Sequence, residues 1–175
     1  MRLSASLWKK LFLFCLGLFL SSSFAMKWME ADLVYNNEKI SIFGLELFYS
    51  KEQVQAILAG IDDKVRTVLS YHLHFDFVFM AGCFPGIACL CMMAAKRTGT
   101  KGIRVILVGF AFLQLVAWGF DITENLYLLK WLKNPVIGDE FGFYHLVVYS
   151  KWAIALLAVL VALAVLLITA VKRKI

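Results

Sequence analysis

The stretch Gln114-Leu-Val-Ala-Trp-Gly-Phe-Asp121-Ile-Thr-Glu124-Asn125-Leu-Tyr-Leu-Leu129 decides how this chain is read. Its apolar residues predict a membrane helix, and its polar residues interrupt that helix without ending it. Asp121, Glu124 and Asn125 are spaced i, i+3, i+4, so a helix carries all three on one face. Gln114 lies seven residues before Asp121, two turns back on the same stripe. Two carboxylates and an amide are expensive in apolar surroundings unless they face protein, water or a ligand. The stretch therefore predicts an apolar helix with a polar centre turned inward.

Composition agrees with that reading. The chain has 175 residues, 62% of them hydrophobic, and a mean hydropathy of +0.79. Soluble domains are roughly 45–50% apolar. The expected class is all-α: an integral membrane four-helix bundle with a short outer helical segment. The net charge of +6 would suggest nucleic acid if the basic residues formed a patch. They sit instead at the ends of apolar segments, which is a topology signal. Cys15, Cys83, Cys89 and Cys91 all lie in apolar sequence with no C-x-x-C spacing, and read as small buried side chains. Phe14 precedes Cys15 where a lipoprotein box needs a small residue, which argues against lipidation.

Working outward, residues 1–25 support two readings. Arg2, Lys9 and Lys10 precede the apolar run Leu11–Leu20, and Ser23 and Ala25 suit a signal-peptide cut after Ala25. The same segment also reads as a first transmembrane helix, although the sixteen residues from Leu11 to Met26 fall short of the ~20 needed to span. Cleavage would leave three transmembrane helices and retention four. Residues 26–70 form an outer segment with five basic and seven acidic residues. Within it, Ile40–Tyr49 is apolar apart from Ser41, Gly44 and Glu46, so it is expected to lie on the bilayer or the bundle. Ser50 and Gln53 form a capping box ahead of the stripe Val54, Ile57, Leu58, Ile61, and Gly60 is placed to end that helix. Asp62 is a second cap, for a helix running into the next span. Residues 71–175 hold three further spans: about 71–95, from 103 past Phe120, and 146–171. Pro85 predicts a kink in the first of these.

Charge sets the orientation. Arg2, Lys9, Lys10, Lys96, Arg97, Lys101, Arg104, Lys172, Arg173 and Lys174 mark one side with no acidic residue among them. All twelve acidic residues fall toward the other side. This positive-inside pattern predicts a multi-pass protein of a cell inner membrane, with a cytoplasmic C-terminus and residues 26–70 outside. Counting from the basic boundary then gives depth. Asp76 precedes Lys96 by twenty residues, Asp121 and Glu124 follow Arg104 by seventeen and twenty, and Lys151 precedes Lys172 by twenty-one. At 1.5 Å per residue all lie roughly 25–32 Å from that boundary. The bland reading is that such charges mark where helices leave the membrane. Against it, apolar sequence continues beyond each of them, and Lys151 is a lone cation at a level with three carboxylates. An ion pair with Asp121, Glu124 or Asp76 is its cheapest partner. His72 lies one turn from Asp76 on the same face.

These residues carry a resemblance. Asp121-Ile-Thr-Glu124-Asn125, Asp76-Phe77-Val78-Phe79, Lys151-Trp152 and Ile42-Phe-Gly-Leu-Glu46-Leu47 resemble the D-x-x-E-N, D-x-x-F, Lys and I-x-x-F-E-L-like motifs of a family of uncharacterised bacterial inner-membrane proteins. The resemblance covers most of residues 40–155. It implies a four-helix membrane fold and adds Glu46 to the polar set, although Gly44-Leu45 departs from the more compact motif. It implies no activity.

The candidate polar cluster is thus Asp76, Asp121, Glu124, Asn125, Lys151, His72 and Glu46, with no catalytic residue assigned and no cofactor implied. The leading expectation is a binding or interaction protein whose partners are membrane lipids, a small amphiphile or a membrane protein, with a purely structural network as the bland alternative. A lipid-modifying enzyme with Glu124 or Asp76 as acid or base is the second reading. A metal site from His72, His74 and Asp76 is disfavoured, because the i, i+2 offset turns His74 away from the other two. A proton or ion pathway lacks polar residues in the inner half. No phosphate loop, nucleophilic triad or nucleic-acid motif is present.

Overall fold

The computed structural model describes residues 5–172. The described residues are 87% helical, and four of their helices are long and apolar enough to cross a membrane. They are α1 (Ala5–Met29), α3 (Asp63–Arg97), α4 (Lys101–Lys133) and α5 (Glu140–Lys172). Between α1 and α3, residues 30–62 build a cap over one end of the bundle. The cap contains a hairpin of β1 (Val34–Tyr35) and β2 (Glu38–Lys39), a π-helical turn (Gly44–Phe48) and the short helix α2 (Lys51–Gly60).

Local chemistry explains the boundaries. The Ser50 hydroxyl accepts from Gln53 N–H while the Gln53 side chain accepts from Ser50 N–H, so the capping box that starts α2 is formed in full. Asp62 accepts from Val65 N–H at 2.8 Å and starts α3. α3 is one helix from there to Arg97 and passes through Pro85 without a break. α1 is longer than its apolar core, because Lys9, Lys10 and the residues after Leu20 are helical too. Ser21, Ser22 and Ser23 stay in the helix by donating their hydroxyls to carbonyls three or four residues back. α5 begins six residues before the expected span, and the α4–α5 connection is correspondingly tight. The hairpin is an addition to the sequence reading. Asn36 and Asn37 both take positive φ, 52° and 64°, the conformation a two-residue I′ turn requires.

The packing falls into levels. Cap residues Leu33, Ile40, Leu45, Val54 and Leu58 are buried against Leu69 and Leu73 of α3, Trp131 of α4 and Tyr144 of α5. Met80, Phe84 and Ala117 form a second core. Leu90, Cys91, Leu107, Ala158 and Ala162 form a third, at the basic end. α1 joins α3 along Gly82 and Gly86. A Cβ at Gly82 would lie 2.6 Å from Phe19 N and 2.9 Å from Cys15 O, so only glycine admits the α1 backbone there. The polar centre sits between the first two cores.

Candidate functional site

Three carboxylates from two elements surround Lys151 of α5. The Lys151 ammonium lies 2.5 Å from Asp121 Oδ1, 2.5 Å from Glu124 Oε2 and 3.5 Å from Glu46 Oε2. Asp121 and Glu124 come from adjacent turns of α4, as their i, i+3 spacing requires, and Glu46 comes from the π-helical turn of the cap. All four side chains are buried or nearly so; Glu46 is the most accessible, at 14%. The sequence pointed to a single partner for Lys151 among Asp121, Glu124 and Asp76. The structure gives it two of these, together with Glu46 from the cap.

Asn125 carries the network onto α3. Its side-chain amide donates to Asp76 Oδ2 at 2.8 Å and to the Leu73 carbonyl at 3.2 Å. Asp76 is half-buried and makes no ion pair with Lys151. His72 is the member the structure does not connect. It is 1% exposed, and neither ring nitrogen has a hydrogen-bond partner among the described residues. Gln114 is also buried, but its amide donates to the Phe110 carbonyl of its own helix and takes no part in the cluster.

The cap is tied to α5 by three aromatic donors of that helix. Trp152 Nε1–H donates to Glu46 Oε2 at 3.2 Å, Tyr144 O–H to the Leu45 carbonyl at 3.1 Å and Tyr149 O–H to the Leu47 carbonyl at 3.0 Å. Successive groups of the π-helical turn are thus each held by a different α5 side chain. At Gly44 a side chain would meet the Tyr49 ring, which keeps the turn compact. Burial pushes the Glu46 carboxyl above the ordinary glutamate range, and the Lys151 ammonium pulls it part of the way back. The sequence offered Trp152 only as a neighbour of Lys151 and gave no role to Tyr144 or Tyr149. Helix spacing puts Tyr144 on the face of Lys151, two turns back, but turns Tyr149 to the far side, so it could not show that both reach one cap.

Chemically, the cluster gathers Glu46, Asp76, Asp121 and Glu124 around one ammonium and one amide. A single positive charge leaves a surplus of acidic groups, to be balanced by protons or by a positive group from outside. Among the described residues no three His, Cys, Asp or Glu side chains are arranged to hold a metal ion. No known protein family, curated protein or solved structure matches the chain.

Proposed function

We propose that this is a multi-pass membrane protein of the binding or interaction class, whose outer cap is clamped to a four-helix bundle by the Lys151 cluster. The observation that carries the reading is the ammonium of α5 in contact with carboxylates of both α4 and the cap. Four apolar helices and the ten basic residues gathered toward one side support a membrane placement with that side cytoplasmic and residues 26–70 outside. The seam between α1 and Gly82 supports retention of residues 1–25 as the first of four transmembrane helices. A bacterial inner membrane, and kinship with the uncharacterised family described above, belong to the same proposal.

The surplus acidity sets the ligand chemistry. A membrane lipid headgroup or small amphiphile bearing an amine, or a basic side chain of a membrane partner, would supply the missing positive charge. Mass spectrometry of the protein released from detergent micelles tests this. A stoichiometric amine-bearing adduct that disappears in Asp76→Asn supports the reading, and its absence from wild-type protein overturns it. One observation favours the second reading, a lipid-modifying enzyme. Asp76 is the cluster carboxylate without an ammonium contact, so it is the best placed to exchange a proton. A chemically altered lipid that accumulates with wild type and not with Asp76→Asn would establish that reading instead.

A further inference from the structure

Away from the cluster, a cleft of about 590 Å³ opens where α3 and α4 meet the cap. Arg66, Thr67, Ser70 and Tyr71 line it from α3, and Leu132 and Lys133 from the end of α4. Pro135 closes it beyond the helix end. Leu132 and Lys133 follow Asn125 by seven and eight residues, about 10–12 Å further along α4, so the cleft is separate from the polar centre.

The lining chemistry is that of an anion site. Arg66 donates through Nη1 to the Leu132 carbonyl and through Nη2 to the Leu58 carbonyl, which fixes the guanidinium in place. A guanidinium has five N–H donors, so others remain. Lys133 is exposed and, among the described residues, neither it nor Arg66 is paired with a carboxylate. The Thr67 hydroxyl is already donated to the Asp63 carbonyl. The hydroxyls of Ser70 and Tyr71 make no hydrogen bond with described residues and remain free as donors. No carboxylate lines the cleft. Two fixed or flexible cations with two hydroxyl donors match the oxygens of a phosphate.

Below the cleft the surface turns apolar along a single line. Tyr71, Phe75 and Val78 are spaced i, i+4, i+7 on α3 and are 65%, 41% and 40% exposed. The line runs from the cleft toward the basic end of the helix.

We propose that the cleft binds the phosphate of an anionic phospholipid, with an acyl chain lying along Tyr71, Phe75 and Val78. The proposal rests on the membrane placement but not on the ligand assigned to the polar centre. Full-length protein in a neutral detergent is titrated with phosphatidylglycerol, phosphatidylcholine or inorganic phosphate while thermal unfolding is followed. Phosphatidylglycerol is expected to raise the midpoint saturably, phosphatidylcholine much less, and inorganic phosphate not at all over the same range. Lys133→Gln, an exposed position, is expected to weaken the phosphatidylglycerol response about fivefold. Phe75→Ala is expected to weaken it further without altering the preference for the anionic lipid. An equal response to phosphatidylcholine overturns the proposal, as does one unchanged by Lys133→Gln. A response to inorganic phosphate matching that to lipid overturns the acyl-chain assignment and leaves a free-phosphate site. Alkaline carbonate extraction tests the membrane placement separately: retention in the pellet with no lipid response refutes the cleft alone.

Discussion

Lys151→Met removes the ammonium from the centre of the cluster and leaves Asp121, Glu124 and Glu46 facing one another. Asp121 and Glu124 have side chains only 4% and 1% exposed, so water cannot replace the lost contact without opening the bundle. Breaking a buried pair by removing one partner costs about 3–5 kcal/mol. For a chain of this size each kcal/mol moves the melting midpoint by about 2–4 °C, so the expected loss is about 6–20 °C. Coulomb attraction falls as 1/r, so each partner at 2.5 Å is bound about 1.4 times as strongly as Glu46 at 3.5 Å. Rescue by a neutral isostere should follow that order. In the Lys151→Met background, Asp121→Asn and Glu124→Gln should each restore part of the loss, Glu46→Gln less, and Asp121→Asn with Glu124→Gln together most of it. The assay is thermal unfolding in detergent, with size exclusion confirming a folded, monodisperse start. If Lys151→Met melts with wild type, Lys151 reaches out to the headgroups and the cluster is no more than a set of helix ends. Equal rescue by an unrelated surface carboxylate substitution would also defeat the argument, because it would show a general charge effect.

Two further outcomes follow from the same geometry. Burial pushes the folded-state Glu46 carboxyl above the ordinary range, so the fold holds that proton more tightly than the unfolded chain does. Its contribution is fully present below the ordinary glutamate value and is lost as pH rises toward the folded value. Glu46→Gln keeps an oxygen for Trp152 and should reduce the decline in stability across that interval, measured as melting midpoint against pH; an unchanged slope would remove Glu46 as its source. Gly82→Leu would drive a side chain into the Phe19 and Cys15 backbone and should prise α1 from α3 at a cost of about 1–3 kcal/mol. In a chain keeping only Cys15, which is 6% exposed, maleimide labelling should then accelerate at least tenfold, and an unchanged rate would argue that this seam is not what holds α1.

Counting residues from a charged boundary locates depth well, because a helix advances by a fixed rise. That is why counting alone puts Asp76, Asp121, Glu124 and Lys151 at one level; the end of α3 at Arg97, close to the expected 95, was marked by the basic boundary itself. Depth says nothing about which helix faces which. The sequence therefore left three candidates for the partner of Lys151, and the structure supplies two of them plus one from elsewhere. Glu46 was reachable only through a resemblance, since it sits in a non-α-helical turn where counting fails. The Ser50 and Asp62 caps were legible because they act over three residues. The hairpin was not, because two strands of two residues carry no periodicity and Asn36-Asn37 is its only signal. His72 shows the limit of face arguments. Four residues advance a helix by about 40° more than a full turn, enough for Asp76 to meet Asn125 while His72 makes no bond to the cluster.

The membership of the cluster also separates two questions that the sequence had joined. Among the described residues its hydrogen bonds and ion pairs involve the cap turn, α3, α4 and α5, and none of them comes from α1. α1 meets the rest of the bundle through the glycine seam of α3, where it presents Cys15 and Phe19. Retention or removal of residues 1–25 therefore bears directly on that seam, and on the Lys151 cluster only through the packing of α3. A chain lacking α1 would expose Gly82 and Gly86 and leave α3 without that neighbour. The cap is in the opposite position. Among the described residues the Glu46 carboxylate and the carbonyls of Leu45 and Leu47 are held from α5, so movement of the cap opens the cluster on the side where Glu46 is already the most accessible member. On the binding reading proposed above, that side is the one a ligand would approach, since Glu46 is both the longest contact of Lys151 and the most accessible.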